Sequence, residues 1–357
     1  MGKVDMGGIE NLFLNVVPLL SDEFCFHILY YVDGENELGD QFEALGCKLH
    51  KVGCNRYRHP FRFIRLIREF IRENGIDVVH TNVGYSTFYC LIAAYLEKVP
   101  IRLAHSHSSE FGSSSNPMNV LFELLCKLAC HFLATTRINI GKKSAEGLFF
   151  SGDDSLFVPN GVDLAKFRFD VAARERIRAS LGISSDATVL ICVGRLEEVK
   201  NHLFLLDILR ELLTIKPDSW VIAVGSGSMK DQISERAKEL GLSDRVVLTG
   251  AVDNPQDYCS ASDNLVMPSL YEGLSLAMIE AQANGLMCFT STNVDRGTKV
   301  TENIKFLDLA DGPKVWSSVI ACDGGRRAVS LDSKRLQAYD RGNNASMLRR
   351  LYRGEVR

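Results

Sequence analysis

Short apolar runs alternate with amphipathic stretches along most of this chain, and that alternation sets the fold expectation. Runs bounded by turn residues suit buried parallel strands, while apolar positions recurring every three or four residues suit helices packed over them. In the first half this predicts strands at 24–32, 47–52, 76–81, 101–105, 132–136 and 156–158. Helices fall between them at 36–45, 60–73, 86–96, 117–130 and near Lys142, with Gly46 and Gly75 placed to end two of them. The second half predicts helices at 172–181, 201–213, 229–240 and 256–260, and one running from Ser275 to near Gly285. Its strands fall at 188–193, 220–224, 246–248, 265–267 and 287–290. A strand at 305–309, a helix at 313–321 and a last helix from Ala338 to Tyr352 complete the series. Strands and helices in this alternation mean an α/β protein with parallel sheets.

At 357 residues the chain is long enough for two such domains, each with its own core. The turn-rich joint from Val158 to Phe167 has no periodicity and reads as the boundary. The division expected is therefore 1–158, 159–330 and a tail, 331–357. One element is short: the chain reaches a glycine turn, Gly7-Gly8, and then a helix, with only Gly2 to Val4 ahead of it to supply a first strand.

Composition narrows the class. The chain is 46% hydrophobic and 24% charged, as in globular proteins, and its net charge of −3 argues against nucleic acid as the main partner. Ten cysteines are scattered without a CxxC pair, several inside apolar runs. They read as buried reduced thiols and point to a cytoplasmic protein. No apolar run approaches a membrane span of about 18 residues, and the N-terminus lacks a signal-peptide core.

The candidate chemistry gathers where strands end. After the run 265–267, Pro268 stops the strand, Glu272 and Gly273 lie in a turn, and Ser275 suits the N-cap of an apolar helix that carries Glu280. Eight residues at a helical rise span about 12 Å, the scale on which a ribose and a hexose flank a diphosphate. A helix N-terminus between the two carboxylates suits phosphate. Following the strand at 188–193, Gly194-Arg195-Leu196-Glu197-Glu198-Val199-Lys200-Asn201 presents a guanidinium fork and a mobile ammonium, which together suit a diphosphate. A plain solvated loop, with Glu197 and Glu198 neutralising both cations, is the alternative. Gly225 and Gly227 follow another strand, but no third glycine completes a dinucleotide fingerprint. His105 and His107 end the strand at 101–105 with their side chains on one side, where either could bond a sugar hydroxyl or a phosphate. No set of four residues has metal-ligand spacing, so no metal is expected.

These motifs, in this order, resemble the family 4 retaining glycosyltransferases of the GT-B fold. The likeness rests on Glu272 followed by Glu280, on Gly194-Arg195 followed by Lys200-Asn201, and on Gly7-Gly8 before a helix. It runs from Gly7 to near Tyr352. It implies two Rossmann-like domains facing across a cleft, with the tail helix returning to the first. It also implies a retaining hexosyltransferase that takes a nucleoside diphosphate sugar, UDP-linked by analogy, as its donor and needs no cofactor. Arg195 and Lys200 would hold the diphosphate, Glu272 the sugar hydroxyls and Glu280 the ribose. Gly8, Gly225 and the backbone at Gly273, Leu274 and Ser275 would lie against the donor, Val252 against the base, and His107 at the sugar or phosphate. The textures Tyr271-Glu272-Gly273-Leu274-Ser275, Glu280-Ala281-Gln282 and Ala338-Tyr339-Asp340 are similar to those of bacterial enzymes that build capsule and exopolysaccharide.

The most basic stretch is 57–72. At 100° per residue, Arg58, Arg62, Arg65, Arg68 and Arg72 share one arc, and Phe63, Ile64, Leu66, Ile67, Phe70 and Ile71 lie opposite. This is either an ordinary helix with a solvated basic side or a contact, through Arg62 and Arg65, with an anionic membrane that presents a lipid-linked or glycan acceptor. Two rival activities share the scaffold: a sugar-nucleotide epimerase or hydrolase, and a non-catalytic nucleotide-sugar binder. Product analysis with and without acceptor separates them.

Overall fold

The computed structural model describes residues 8–31, 38–56, 58–82, 84, 86–107, 117–326, 329 and 331–356. It divides into two compact units, 1–161 with 338–357, and 162–337.

The first unit opens with helix α1 (Gly8–Val16), strand β1 (His27–Tyr30), α2 (Gly39–Ala44) and β2 (Lys48–Lys51). It continues through α3 (Pro60–Asn74), β3 (Val78–Thr81), α4 (Ser86–Leu96), β4 (Ile101–Ser106) and α5 (Pro117–Leu133). Strand β5 (Thr136–Asn139), α6 (Lys142–Leu148) and β6 (Leu156–Phe157) complete its sheet. Among the described residues these strands form two parallel sheets, β1–β2 and β3–β4–β5–β6. A cavity of about 390 Å³ is lined from both sides, by His27, Ile28 and Leu29 of β1 and Val78 to Thr81 of β3. Residues 2–4, the only stretch ahead of α1 in this sequence that could extend a sheet, lie outside the described residues. Helix α3 forms as the pattern requires: Pro60 opens it, Phe63, Ile67 and Ile71 are buried, and Gly75 closes it in the left-handed region at φ 59°.

One expectation fails here. The run 132–136 is not a strand. Cys126, Ala129 and Cys130 are buried at helical spacing, and they carry α5 on to Leu133. Strand β5 therefore starts only at Thr136, where it pairs with β4.

The second unit holds α7 (Val171–Leu181), β7 (Thr188–Val193), α8 (His202–Leu213), β8 (Ser219–Val224), α9 (Lys230–Glu239) and β9 (Val246–Gly250). Then come α10 (Pro255–Ala261), β10 (Asn264–Met267), α11 (Leu276–Ala283), β11 (Met287–Ser291), β12 (Ile304–Leu307) and α12 (Gly312–Asp323). Its sheet is continuous and parallel, in the order β12–β11–β10–β7–β8–β9. Leu190, Val221, Leu209, Phe289 and Trp316 belong to the core beneath it. After the short α13 (Lys334–Gln337), helix α14 (Arg341–Tyr352) packs Leu348, Leu351 and Tyr352 into the core of the first unit beside Leu12 and Val16. Six cysteines are buried as the apolar runs imply, whereas Cys25 and Cys322 are exposed.

Candidate active site

Parallel strands deliver their following loops to one sheet edge, and open α/β sheets bind ligands there. In the second unit those loops are laced to each other by backbone. Gly194 donates to Val224 O at 2.9 Å, Leu196 to Ser226 O at 2.9 Å, and Met229 to Leu196 O at 2.9 Å. Gly225 donates to Gly250 O at 2.9 Å, and Ser226 Oγ accepts from Ala251 N at 3.0 Å. Only glycine fits Gly225: its φ is 140°, and a Cβ would stand 2.0 Å from Gly194 O. The sequence pairs Gly225 with a nucleotide-side loop. The structure shows what the glycine is for locally, which is backbone contact with the loop that carries Arg195.

That loop is tied in turn to the one after β10. Leu270 donates to Val199 O at 2.8 Å, and Asn201, left-handed at φ 55°, donates through Nδ2 to Pro268 O at 3.1 Å. The tie brings Lys200 and Glu272 into direct contact as an ion pair, both side chains largely buried. Lys200 lies against the bare face of Gly194, with its Cε 3.2 Å from where a Cβ would sit. The Glu272 main chain is fixed from the other side, where its carbonyl accepts from Asp295 N at 3.1 Å. Arg195 is exposed, and among the described residues its side chain has no partner. Glu197 turns instead to Ser228, whose Oγ donates to it at 2.9 Å, so the two acids of this loop do not neutralise its two cations.

Helix α11 begins as expected after Ser275, but the serine does not cap it. Its hydroxyl points to Met267 Sδ at 3.6 Å. The N–H groups of Gly273, Leu274 and Ser275 donate to no described residue and remain available to an anion at the helix N-terminus. Glu280 sits in the second turn beside Lys166 and Cys259. Burial raises its pKa from 4.5 to about 7, with Lys166 pulling the other way. No direct contact joins Glu280 to Arg195 or Lys200 among the described residues. Gln282, two residues after Glu280 and so on the other side of the helix, is fully buried. It donates to Met278 O and Thr298 O and accepts from Val300 N and Thr301 N, clamping the loop that follows β11. A polar amide inside an apolar helix was the signal that could have identified it. Val252 is half-buried in the loop after β9.

The first unit holds a separate cluster. Gly8 is the first residue of α1, while Gly7, Ser108 and Ser109 lie outside the described residues. His105 is buried and bonds Val158 O at 3.1 Å through Nε2. A carbonyl only accepts, so that nitrogen carries the proton and Nδ1 is an acceptor. His80 Nε2 then donates to it at 3.2 Å, and Tyr352 donates its hydroxyl to His80 Nδ1 at 2.9 Å. This chain ties β3, β4 and α14 together, and burial holds the His80 pKa at about 3. His107, with its ring 4.0 Å from that of His105, donates through Nε2 to Asn82 Oδ1 at 2.9 Å. Its Nδ1 is buried and has no partner among the described residues. Burial lowers its pKa to about 3, the Asn160 side chain beside it working the other way. Of the two histidines, His105 is therefore consumed by structure, and His107 keeps a free acceptor lone pair. Among the described residues no group of three or more His, Cys, Asp or Glu is placed to hold a metal ion.

Comparisons with known proteins bear on the family and the fold. A family model described as Glycosyltransferase Family 4 matches residues 6–166, and one described as Glycosyl transferases group 1 matches 173–303. EpsF of Bacillus subtilis (strain 168) is 29% identical over 368 residues, covering 99% of this chain and 94% of that protein. The capsular polysaccharide biosynthesis glycosyltransferase CapH of Staphylococcus aureus is 25% identical, covering 89% of this chain and 87% of its own. An Escherichia coli UDP-Gal:alpha-D-GlcNAc-diphosphoundecaprenol alpha-1,3-galactosyltransferase is 27% identical, covering 66% of this chain and 62% of its own. Among solved structures, HepE of Anabaena, crystallised in complex with UDP, superposes with a TM-score of 0.72 at 14% identity. That match covers 98% of this chain and 96% of HepE, and it supports the two-domain α/β fold.

Proposed function

The chain belongs to the glycosyltransferases of family 4 and group 1, matched across both of its units, and from that premise we propose a retaining transferase for surface polysaccharide. Its donor is a UDP-linked hexose and its acceptor a lipid-linked or oligosaccharide glycan at the inner face of a membrane. The observation that carries this reading is the meeting of Lys200, Glu272 and the undonated amides of Gly273, Leu274 and Ser275 on loops laced to the one that bears Arg195. The UDP bound to HepE and the diphosphoundecaprenol substrate in the name of the Escherichia coli relative support the donor and the acceptor class.

In the free protein Lys200 pairs with Glu272. Donor binding exchanges that partner for a phosphate and releases the Glu272 carboxylate to accept from sugar hydroxyls. Glu280 accepts from the ribose, and the backbone near Val252 meets the base. In the reaction the bond from the anomeric carbon to the phosphate oxygen breaks, and its electron pair leaves with the phosphate. Arg195 and Lys200 stabilise that charge, so the chemistry can proceed without a divalent metal. The acceptor oxygen then bonds the same face of the sugar, and its proton passes to the departing phosphate oxygen. His107, neutral with a bare Nδ1, accepts a hydroxyl hydrogen bond and cannot donate one to phosphate from that atom. The test is to incubate the purified protein with UDP-sugars and a polyprenyl-diphosphate-linked sugar and to read the product anomer by NMR. An inverted anomer, or hydrolysis and epimerisation alone, overturns the proposal, and turnover unchanged by a chelator is the expected result for metal independence.

A further inference from the structure

Helix α11 carries, besides Glu280, a second polar side chain that the proposed chemistry leaves unused. Gln282 is fully buried, and its amide uses every group it has. Nε2 donates to Met278 O at 3.0 Å and to Thr298 O at 2.8 Å. Oε1 accepts from Val300 N at 3.2 Å, and from Thr301 N and Thr301 Oγ1, both at 3.0 Å. All but the bond to Met278 reach the loop between β11 and β12, and a side-chain amide is what offers two donors and an acceptor together. The clamp is continuous with the Glu272 loop. Thr298, whose carbonyl accepts from Gln282, donates its N–H to Asp295 O at 3.1 Å, and Asp295 donates its own N–H to Glu272 O at 3.1 Å. Glu272 and Val294 form a single parallel bridge there, and Val294 is buried. Asp295 Oδ1 accepts from Gly297 N at 2.7 Å, and Gly297 lies close to Leu274, whose Cδ1 is 3.8 Å from where a Cβ would sit. The segment that carries Glu272 and its neighbouring amides thus rests on a loop pinned at its far end by one buried amide.

We propose that Gln282 is a positioning residue: through Thr298 and Asp295 it fixes the main chain of Glu272, and with it the place where that carboxylate meets the donor sugar. The inference rests on the reading of Glu272 as the group that accepts from sugar hydroxyls, and it adds a separation of effects. None of the clamp's hydrogen bonds involves Arg195, Lys200 or Glu280, the residues assigned to the nucleotide and its diphosphate. Peptide groups bonded in series hold one another in place, so a break at Gln282 is felt at the other end of the series. Carboxylate placement matters on the scale of an ångström, because hydroxyl recognition is directional. Loosening the clamp should therefore blur recognition of the sugar and leave recognition of UDP in place. A residue that served the fold alone would change both together or neither.

The experiment measures, by calorimetry on the whole chain, the affinity for UDP and for UDP linked to glucose, galactose and their N-acetylated forms. Gln282→Met keeps the length of the side chain and deletes its hydrogen bonds. The ratio of the Kd for the best-bound UDP-sugar to the Kd for UDP should rise at least about fivefold, with the Kd for UDP itself within about twofold of wild type. Stranding Thr298 O, Val300 N and Thr301 N also costs stability, so a pair of substitutions at Asp295 tests the other end of the series and decides the matter if Gln282→Met does not fold. Asp295 has φ −59°, which proline adopts, so Asp295→Pro removes the N–H that holds Glu272 without forcing the backbone. Asp295→Ala lacks the same carboxylate but keeps that N–H. The proline variant should show a ratio at least about threefold above that of the alanine variant. Thermal unfolding identifies which variants fold. Equal loss of UDP and UDP-sugar in folded Gln282→Met, an unmoved ratio, or matching proline and alanine variants overturns the proposal while the donor reading stands. A wild-type chain that binds none of these compounds overturns the donor reading, and this inference with it.

Discussion

On the proposed reading, a single contact of Lys200 couples rest to reaction. Its ion pair with Glu272 keeps two largely buried charges compensated while the site is empty, and either charge alone in that loop would be costly. Lys200→Ala should therefore harm the enzyme twice, by removing a cation from the leaving group and by stranding Glu272. Turnover should fall on the order of 10²–10³-fold, measured as kcat with saturating donor. Glu280 gives a pH signature. A carboxyl raised to about 7 by burial stabilises the fold while protonated, and that contribution is complete below 4.5 and lost as pH climbs through about 7. The melting temperature of wild type minus that of Glu280→Gln should thus decline between these two values, and the variant should be the more stable protein above pH 7. Melting curves of both proteins across that range test the sign; a difference that grows with pH would refute it. At this scale the sequence was legible where charge and spacing are local, as in Arg195, Lys200, Glu272 and Glu280. It could not reveal that Lys200 and Glu272 touch, since 72 residues separate them and only the pairing of β7 with β10 brings their loops together. The choice between His105 and His107 likewise depended on Val158 O and Asn82, which no strand alternation could reveal.

Elements were legible to the extent that their own sequence decided them. Helices α3 and α4 and strand β7 stand where the apolar pattern places them, because their buried positions lie within the segment and, for α3, Pro60 and Gly75 mark its ends. The run 132–136 was misread because its aromatic and β-branched residues favour a strand locally, while burial of Cys126, Ala129 and Cys130 keeps the helix going. The glycine turn after β8 illustrates another limit. As a motif it was an incomplete dinucleotide fingerprint, but in space Gly225 and Gly227 are the points where two loops touch backbone to backbone, with a Cβ at Gly227 set to stand 2.3 Å from Leu196 O. Gly225→Ala should cost about 3 kcal/mol or more, through strain at φ 140° and a clash that only loop displacement relieves. Because the displaced loop carries Arg195 and Lys200, UDP affinity should fall along with stability. Chemical denaturation and calorimetry read the two effects, and an alanine variant with normal stability would show that the lacing is dispensable.

The two units differ in how their interiors are built, and this has a consequence for the whole molecule. The second has one continuous six-stranded sheet. The described strands of the first lie in two sheets, with a cavity of about 390 Å³ lined by both and its buried core spread over separate clusters. A cavity forfeits the dispersion contacts of the atoms that line it, and divided clusters share fewer neighbours, so the opening free energy of the first unit should be the smaller. Amides of β1 and β3 should exchange with solvent faster than those of β7 and β8, in hydrogen exchange followed by mass spectrometry. Calorimetry should resolve two transitions, the lower belonging to the first unit together with α14, whose Leu348, Leu351 and Tyr352 are part of that core. UDP then acts as a label. A ligand held by Arg195, Lys200 and Glu280 binds the folded second unit alone and should raise only the upper transition, by an amount that grows with the logarithm of its concentration. If UDP raises the lower transition as well, the first unit contributes substantially to nucleotide binding, and the assignment of the donor to the loops after β7, β8, β9 and β10 is incomplete.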